Sequence, residues 1–249
     1  MYRMIIFDLD GTLAESKSPI SSEMAQALTG LLRVKEVCII TGGNYEQITK
    51  QVIDRLPKSA KLTNLHLMPT CGSRYYRFNG LDWQVIYEND IQPKVKDLIF
   101  RKIKEMASEL GYWLEDSYGP LIEDRGSQIT YSALGQDAPK EEKEKWDRDG
   151  SKKSLLRNNL SLELPALEVR SGGSTSIDIT LKGMDKAYGI KELHKRLGME
   201  FNDMFFIGDR LDVGGNDYPV IHTGVDTSQV ISHHETLEII KLMISNQEE

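Results

Sequence analysis

The chain has 249 residues, 39% hydrophobic and 28% charged, with a formal net charge of -7 and a pI near 5.4. That composition suits a globular chain with one large core, or a core carrying an inserted domain. The acidic balance and the lack of a basic block argue against electrostatic nucleic-acid binding. No run of 18 apolar residues offers a membrane span. The first strand begins without a leader-like segment. Cys38 and Cys71 are too few for a disulfide framework. The expected compartment is therefore the cytoplasm.

Residues 4–7 (Met-Ile-Ile-Phe) are a short apolar run, the mark of a strand buried on both faces of a parallel sheet. Asp8 ends the run, Asp10 follows two residues later, and Gly11 permits a tight turn. In open parallel sheets, ligands gather at the carboxyl ends of strands. Side chains at i and i+2 point the same way along extended backbone, so both carboxylates are expected to face one small volume. Acids that close repel unless one holds a proton or a cation shares them, and a hard divalent ion is the simplest resolution.

A polar loop over 15–19 leads to a helix capped by Ser21 or Ser22 and running to Leu32, with Met24, Leu28, Leu31 and Leu32 on one face. Residues 37–40 form a second buried strand ending in Thr41-Gly42-Gly43. Asn44 caps a helix carrying Ile48, Val52 and Ile53. A strand end with a hydroxyl and exposed backbone N–H groups before a helix is an anion site. A third strand covers 65–69, and Asn79-Gly80 turns a hairpin of 74–78 with 83–87.

The pattern then changes. An amphipathic helix spans 93–110, paired strands lie at 122–124 and 127–132, and a charge-rich helix over 139–158 is open to interruption at Gly150. A further hairpin joins 167–170 to 176–181. The βα alternation resumes with a helix from Lys186 or Ala187 to Leu197, ended by Gly198. A buried strand at 204–207 leads into Gly208-Asp209, and a last strand or turn is expected at 220–224 before a helix over 235–244. The expected organisation is a core of 1–80 and 183–249 with an α+β insert, a cap, at 81–182.

The string Asp8-Leu9-Asp10-Gly11-Thr12 after four apolar residues resembles the first motif of the haloacid dehalogenase-like (HAD) superfamily, mostly aspartate-dependent phosphotransferases. Thr41-Gly42-Gly43, Lys186 and Asp209 follow in the order of its other motifs. The resemblance implies a doubly wound, mainly parallel α/β core. It implies that Asp8 is the nucleophile that becomes an aspartyl phosphate and that Asp10 is the general acid/base. Thr41 and the Gly42 amide would hold the transferring phosphoryl, and Lys186 would bring it a positive charge. Mg²⁺ would be held by the Asp8 and Asp209 carboxylates and the Asp10 carbonyl. Asp212, Asn216 and Asp217 would serve as its water-mediated partners.

An insert between the second and third motifs is the type II HAD arrangement. Gly173–Ile179, Gly183-Met184-Asp185-Lys186, Gly214-Gly215-Asn216-Asp217 and Glu123-Asp124-Arg125-Gly126 resemble the eukaryotic-type phosphomannomutases and related sugar-phosphate phosphatases. The resemblance implies that Arg125 contacts the distal phosphate of a small phosphosugar, with Ser176 and Asp178 on that phosphate or on sugar hydroxyls. The planar fork of an arginine suits a phosphate. Those mutases carry a second arginine where Gln136 stands in Ala133-Leu134-Gly135-Gln136, and another near the first motif, where this chain has Ala14-Glu15-Ser16-Lys17. A mutase must hold either phosphate of a bisphosphorylated intermediate, which favours several cations. With Gln136 offering only hydrogen bonds, the leading expectation is a Mg²⁺-dependent phosphatase. Phosphomannomutase activity is the alternative, and a non-catalytic phosphosugar-binding protein is a third reading. The oligomeric state is left open, a homodimer included.

Overall fold

The computed structural model describes residues 2–245. It divides into one compact unit of Met1–Glu88 with Asp185–Glu249 and a second of Asn89–Met184. The sequence reading placed the first boundary at 80/81. The structure moves it because the hairpin strand Trp83–Glu88 pairs inside the first unit's sheet.

The first half of that unit runs β1 (Met4–Phe7), α1 (Ser22–Val34), β2 (Glu36–Ile40), α2 (Tyr45–Gln51), β3 (Leu65–Met68), β4 (Arg74–Phe78) and β5 (Trp83–Glu88). Ser21 caps α1 by accepting from Met24 N at 3.1 Å, and the helix buries Met24, Leu28, Leu31 and Leu32. Asn44 caps α2, accepting from Gln47 N at 2.8 Å. The apolar spacing through Val52 and Ile53 suggests a longer helix, but α2 stops at Gln51 and Ile53–Arg55 tightens into a 3₁₀ turn.

The second unit runs α3 (Pro93–Glu109), β6 (Ile122–Asp124), β7 (Gln128–Ser132), α4 (Lys140–Trp146), α5 (Ser151–Glu163), β8 (Leu167–Ser171) and β9 (Ser176–Leu181). The expected charge-rich helix is two helices, because Gly150 takes a left-handed conformation at φ +72° between them. The strands form an antiparallel sheet in the order β6-β7-β9-β8. Pleating sends Ile129, Tyr131, Ile177 and Ile179 into a core with Ile99 and Ile103 of α3 and Leu156 and Leu160 of α5. The alternate residues of the two central strands, Gln128, Thr130, Ser132, Ser176, Asp178 and Thr180, make the other face polar.

The first unit then resumes with α6 (Lys186–Leu197), β10 (Met204–Gly208), β11 (Asp226–Gln229) and α7 (His233–Ser245). Asp185 caps α6 by accepting from Tyr188 N at 3.0 Å. The stretch read as a last strand or turn at 220–224 is mostly a 3₁₀ turn, Tyr218–His222. The strand comes later, as the polar Asp-Thr-Ser-Gln of β11. An edge strand half in solvent needs no apolar run, so no such signal marks it.

The complete sheet has the order β11-β10-β1-β2-β3-β4-β5, parallel from β11 to β3 and antiparallel beyond. Ile5, Phe7, Val37 and Ile39 pack on one face with α1 and α7, and Met4, Ile6, Cys38 and Ile40 on the other with α6. This is the doubly wound α/β architecture the sequence implies. The chain leaves β1 toward β2 on one side and returns to β10 on the other, so the carboxyl end of β1 is the topological switch point. Among the described residues, no helix is long and apolar enough to cross a membrane.

Candidate active site

Asp8 is the first residue past β1, and its N–H donates to Ile207 O of β10 at 3.0 Å. It is buried, and Lys186, the first residue of α6, donates from Nζ to its Oδ1. The same ammonium donates to Asp217 Oδ1 at 2.5 Å. Asp209 follows β10, and Asp8, Asp209 and Asp217 each bring a carboxylate oxygen within 4.8 Å of the others. Glycine makes room for this gathering. At Gly11 (φ +90°), an added Cβ would lie 2.5 Å from Asp209 Oδ2. At Gly208, an added Cβ would overlap the Asp217 carboxylate.

The electrostatics follow from two buried acids, Asp8 and Asp217, sharing Lys186, with half-buried Asp209 close by. Burial pushes the Asp8 carboxyl up to about 7; the Lys186 attraction opposes this, and repulsion from Asp217 and Asp209 adds to it. Burial and then Asp217 likewise raise Asp209. Burial works against the Lys186 charge, but Asp217 and Asp8 outweigh it and hold the ammonium above its ordinary range. Negative charge is in excess here. Asp209 Oδ1 is buried and has no hydrogen-bond partner. A hard divalent cation answers both the excess charge and the orphaned oxygen, so the residues present fit Mg²⁺.

The sequence reading gave Asp217 only a water-mediated part. The structure seats it fully buried in the acidic cluster, where Oδ2 also accepts from Arg210 N at 3.1 Å. Asp212, grouped with it by sequence, is exposed and pairs with Arg210 at 2.9 Å. The Asp10 side chain has partners of its own. Its Oδ1 accepts from Lys17 N at 2.7 Å and Gln51 Nε2 at 3.2 Å, and its Oδ2 from Gln47 Nε2 at 3.0 Å. The strand ends at Phe7 and the chain turns through Gly11, and the Asp8 and Asp10 carboxylates take different hydrogen-bond partners.

Thr41 is buried just past β2, the neighbour of β1, and its Oγ1 accepts from Gly43 N at 3.1 Å. Gly42 lies half-buried beside Cys71, whose Sγ would be 3.8 Å from an added Cβ.

In the second unit, Arg125 donates to Glu123 Oε2 at 2.7 Å. On the polar sheet face, Thr130 donates to Asp178 Oδ1 at 2.7 Å, and the Ser132 and Ser176 hydroxyls are 3.0 Å apart. Burial raises the Asp178 carboxyl, with nearby Arg125 opposing the shift. Arg125, Ser176 and Asp178 therefore belong to one β6-β7-β9 surface. Gln136 lies in the loop after β7. Its main-chain carbonyl accepts from Lys143 Nζ at 3.0 Å, and its own Nε2 is buried without a hydrogen-bond partner. Sequence reasoning read this position as lacking charge and missed Lys143 seven residues on, within the charge-rich helix.

A doubly wound sheet that gathers carboxylates and a lysine at its switch point places the chain among α/β proteins with a candidate active site there. A match to the haloacid dehalogenase-like hydrolases covers residues 5–224, and the chain belongs to that family. It is 28% identical over 229 residues to a phosphomannomutase of Encephalitozoon cuniculi, covering 87% of this chain and 83% of that one. It is 27% identical over 232 residues to the phosphomannomutase of Saccharomyces cerevisiae, covering 87% and 84%. Among solved structures, a haloacid dehalogenase-like hydrolase from Bacteroides thetaiotaomicron superposes with a TM-score of 0.68 at 17% identity, over 98% of this chain and 100% of that one. The Plasmodium falciparum IMP-nucleotidase does so with a TM-score of 0.72 at 16% identity, over 98% and 61%. These superpositions speak for the fold.

Proposed function

We propose that the protein is a Mg²⁺-dependent phosphatase for a small phosphosugar, working through an aspartyl phosphate on Asp8. The observation that carries the reading is the gathering of buried Asp8, Lys186 and Asp217 with half-buried Asp209 at the switch point of the sheet. In this reading, Asp8 attacks phosphorus while Asp10 gives its proton to the leaving sugar oxygen. Asp10, now a carboxylate, then takes a proton from water as that water attacks the aspartyl phosphate and frees Asp8. Lys186 and the Thr41-Gly42 turn hold the transferring group. Asp8 and Asp209, with the Asp10 carbonyl and the neighbouring Asp217, would hold Mg²⁺, which supplies charge stabilisation to phosphoryl oxygens when bound.

The metal reading has a test independent of turnover. A ligand that binds only the folded state raises its melting temperature. Millimolar Mg²⁺ is therefore expected to raise the calorimetric midpoint of the wild type relative to EDTA, with little effect on Asp209→Ala. Equal shifts in both proteins would remove Asp209 from the metal site.

Arg125 is proposed to meet the distal anionic group of the substrate. Arg125→Ala is then expected to cost about 1.5–3 kcal/mol in kcat/KM with a phosphosugar, the range for a hydrogen bond to a charged group. It should cost almost nothing with a compact aryl phosphate that has no second polar end. Equal losses on both substrates would make Arg125 structural.

A second reading, phosphomannomutase activity, is supported by the names of the relatives and by Lys143 beside Gln136, which supplies a cation near the position where the mutases carry arginine. The two readings differ in the final acceptor of the phosphoryl group: water or a sugar hydroxyl. A panel of hexose and pentose phosphates, assayed for free phosphate and isomerised sugar phosphate with and without a hexose bisphosphate primer, separates them. Isomerisation exceeding hydrolysis in the wild type overturns the phosphatase assignment.

A further inference from the structure

We infer that Gln47 and Gln51 are positioning residues for Asp10, holding its carboxylate in one orientation with Oδ2 as the oxygen that carries the proton. This rests on the reading of Asp10 as the general acid/base. The two glutamines are one turn apart on α2 and so present their amides from one face of the helix. Gln51 Nε2 and Lys17 N both donate to Oδ1, at 3.2 and 2.7 Å, and Gln47 Nε2 donates to Oδ2 at 3.0 Å. Each carboxylate oxygen has about two acceptor directions. Two donors fill those of Oδ1, and one donor leaves a direction open at Oδ2. Donors to both oxygens, from the helix and from the loop, also fix the plane of the group.

The surroundings of the glutamines fit a directed role. Gly43 has no side chain, and a Cβ there would overlap the Gln47 amide. Gln51 is buried while its Oε1 has no hydrogen-bond partner, and an apolar side chain of that length would bury at lower cost. Gln51 has a structural duty besides: Nε2 also donates to Ser18 O at 2.7 Å, and its main-chain carbonyl accepts from Ile20 N at 2.9 Å. Gln47 is half-buried, and the side-chain bond described for it goes to Asp10. It is therefore the cleaner residue to change.

The signature of a lost acid is selectivity for the leaving group. In the first step, the bond from Asp8 to phosphorus forms while the ester P–O bond breaks, and the leaving oxygen takes the Asp10 proton. A sugar alkoxide needs that proton, whereas 4-nitrophenolate leaves without it. The experiment compares kcat/KM for an alkyl phosphate from the panel and for 4-nitrophenyl phosphate, in wild type, Asp10→Asn, Gln47→Met and Gln47→Glu. Asp10→Asn sets the reference for a lost acid. Gln47→Met, which keeps length and loses the donor, is expected to lower the alkyl value about tenfold and the aryl value less than twofold. Gln47→Glu, which sets a second carboxylate against Asp10, should show the same selective loss. An equal loss on both substrates, or none on either, overturns the positioning role. If Asp10→Asn fails to discriminate between leaving groups, or if the wild type turns over no phosphate monoester, the acid/base reading has failed and the inference falls with it.

Discussion

Asp8→Asn is expected to abolish turnover of every phosphate monoester while leaving the fold at least as stable as before. An amide is a poor nucleophile, and loss of a covalent nucleophile typically costs roughly 10⁴-fold or more in kcat. The stability half is less intuitive and comes from the site's excess of acid. Burial raises the folded Asp8 carboxyl to about 7 from an ordinary 3.8. An acid whose folded value is raised binds its proton more tightly in the native state, so it contributes stability at low pH that is lost as pH rises toward 7. Above 7, the metal-free protein carries an ionised Asp8 beside Asp217 and Asp209. Asn removes that charge, and its side-chain oxygen can still accept from Lys186. Calorimetry in EDTA is therefore expected to show a higher midpoint for Asp8→Asn than for wild type at pH 8, with the gap closing at pH 5. Near wild-type activity would remove Asp8 as nucleophile. A lower midpoint at pH 8 would mean that the Lys186–Asp8 ion pair outweighs the repulsion.

The parts of this fold legible in the sequence are those where burial is complete and periodic. β1, β2, β3 and β10 are short apolar runs because both faces of a central parallel strand are covered. β11 was not legible, since an edge strand of Asp-Thr-Ser-Gln carries no such pattern. Within the candidate site, Asp8, Lys186 and Asp209 stand next to recognisable strand or helix ends, and the structure brings them together with Asp217. The depth of Asp217 was hidden in a loop rich in Asp and Gly. Nothing local distinguishes it from exposed Asp212, because its burial follows from the close approach of Gly208 and a turn in which Gly215 N donates to Asp212 O at 2.8 Å. Gln47 and Gln51 escaped for a similar reason. Polar residues four apart on a helix usually face solvent, and only the return of the Ser18 loop over α2 turns them toward Asp10.

Lys186→Met is expected to be the most damaging single change to stability, with a large loss of activity besides. The ammonium is fully buried and is shared by Asp8 and Asp217. Removing one member of a buried ion pair typically costs about 3–5 kcal/mol, because the remaining charge is left without compensation. Here two carboxylates lose it together, with Asp209 close by. The loss in melting temperature is expected to be larger at pH 8 than at pH 5, where protonation of Asp8 relieves part of the repulsion. Mg²⁺ should restore part of the stability by supplying positive charge to the same carboxylates. Activity should stay low even then, since a preorganised donor on a transferring phosphoryl group is worth roughly 10²-fold or more. The decisive measurement is the double variant. If excess negative charge is the cause, Asp8→Asn added to Lys186→Met removes one of the stranded carboxylates. In EDTA at pH 8, the double variant should then gain more over Lys186→Met than Asp8→Asn gains over wild type. That is a coupling between neighbours that independent sites do not show. Equal gains in the two backgrounds would instead assign the damage to the volume and packing of the lysine stem, and the charge argument that links Asp8, Lys186 and Asp217 would fail.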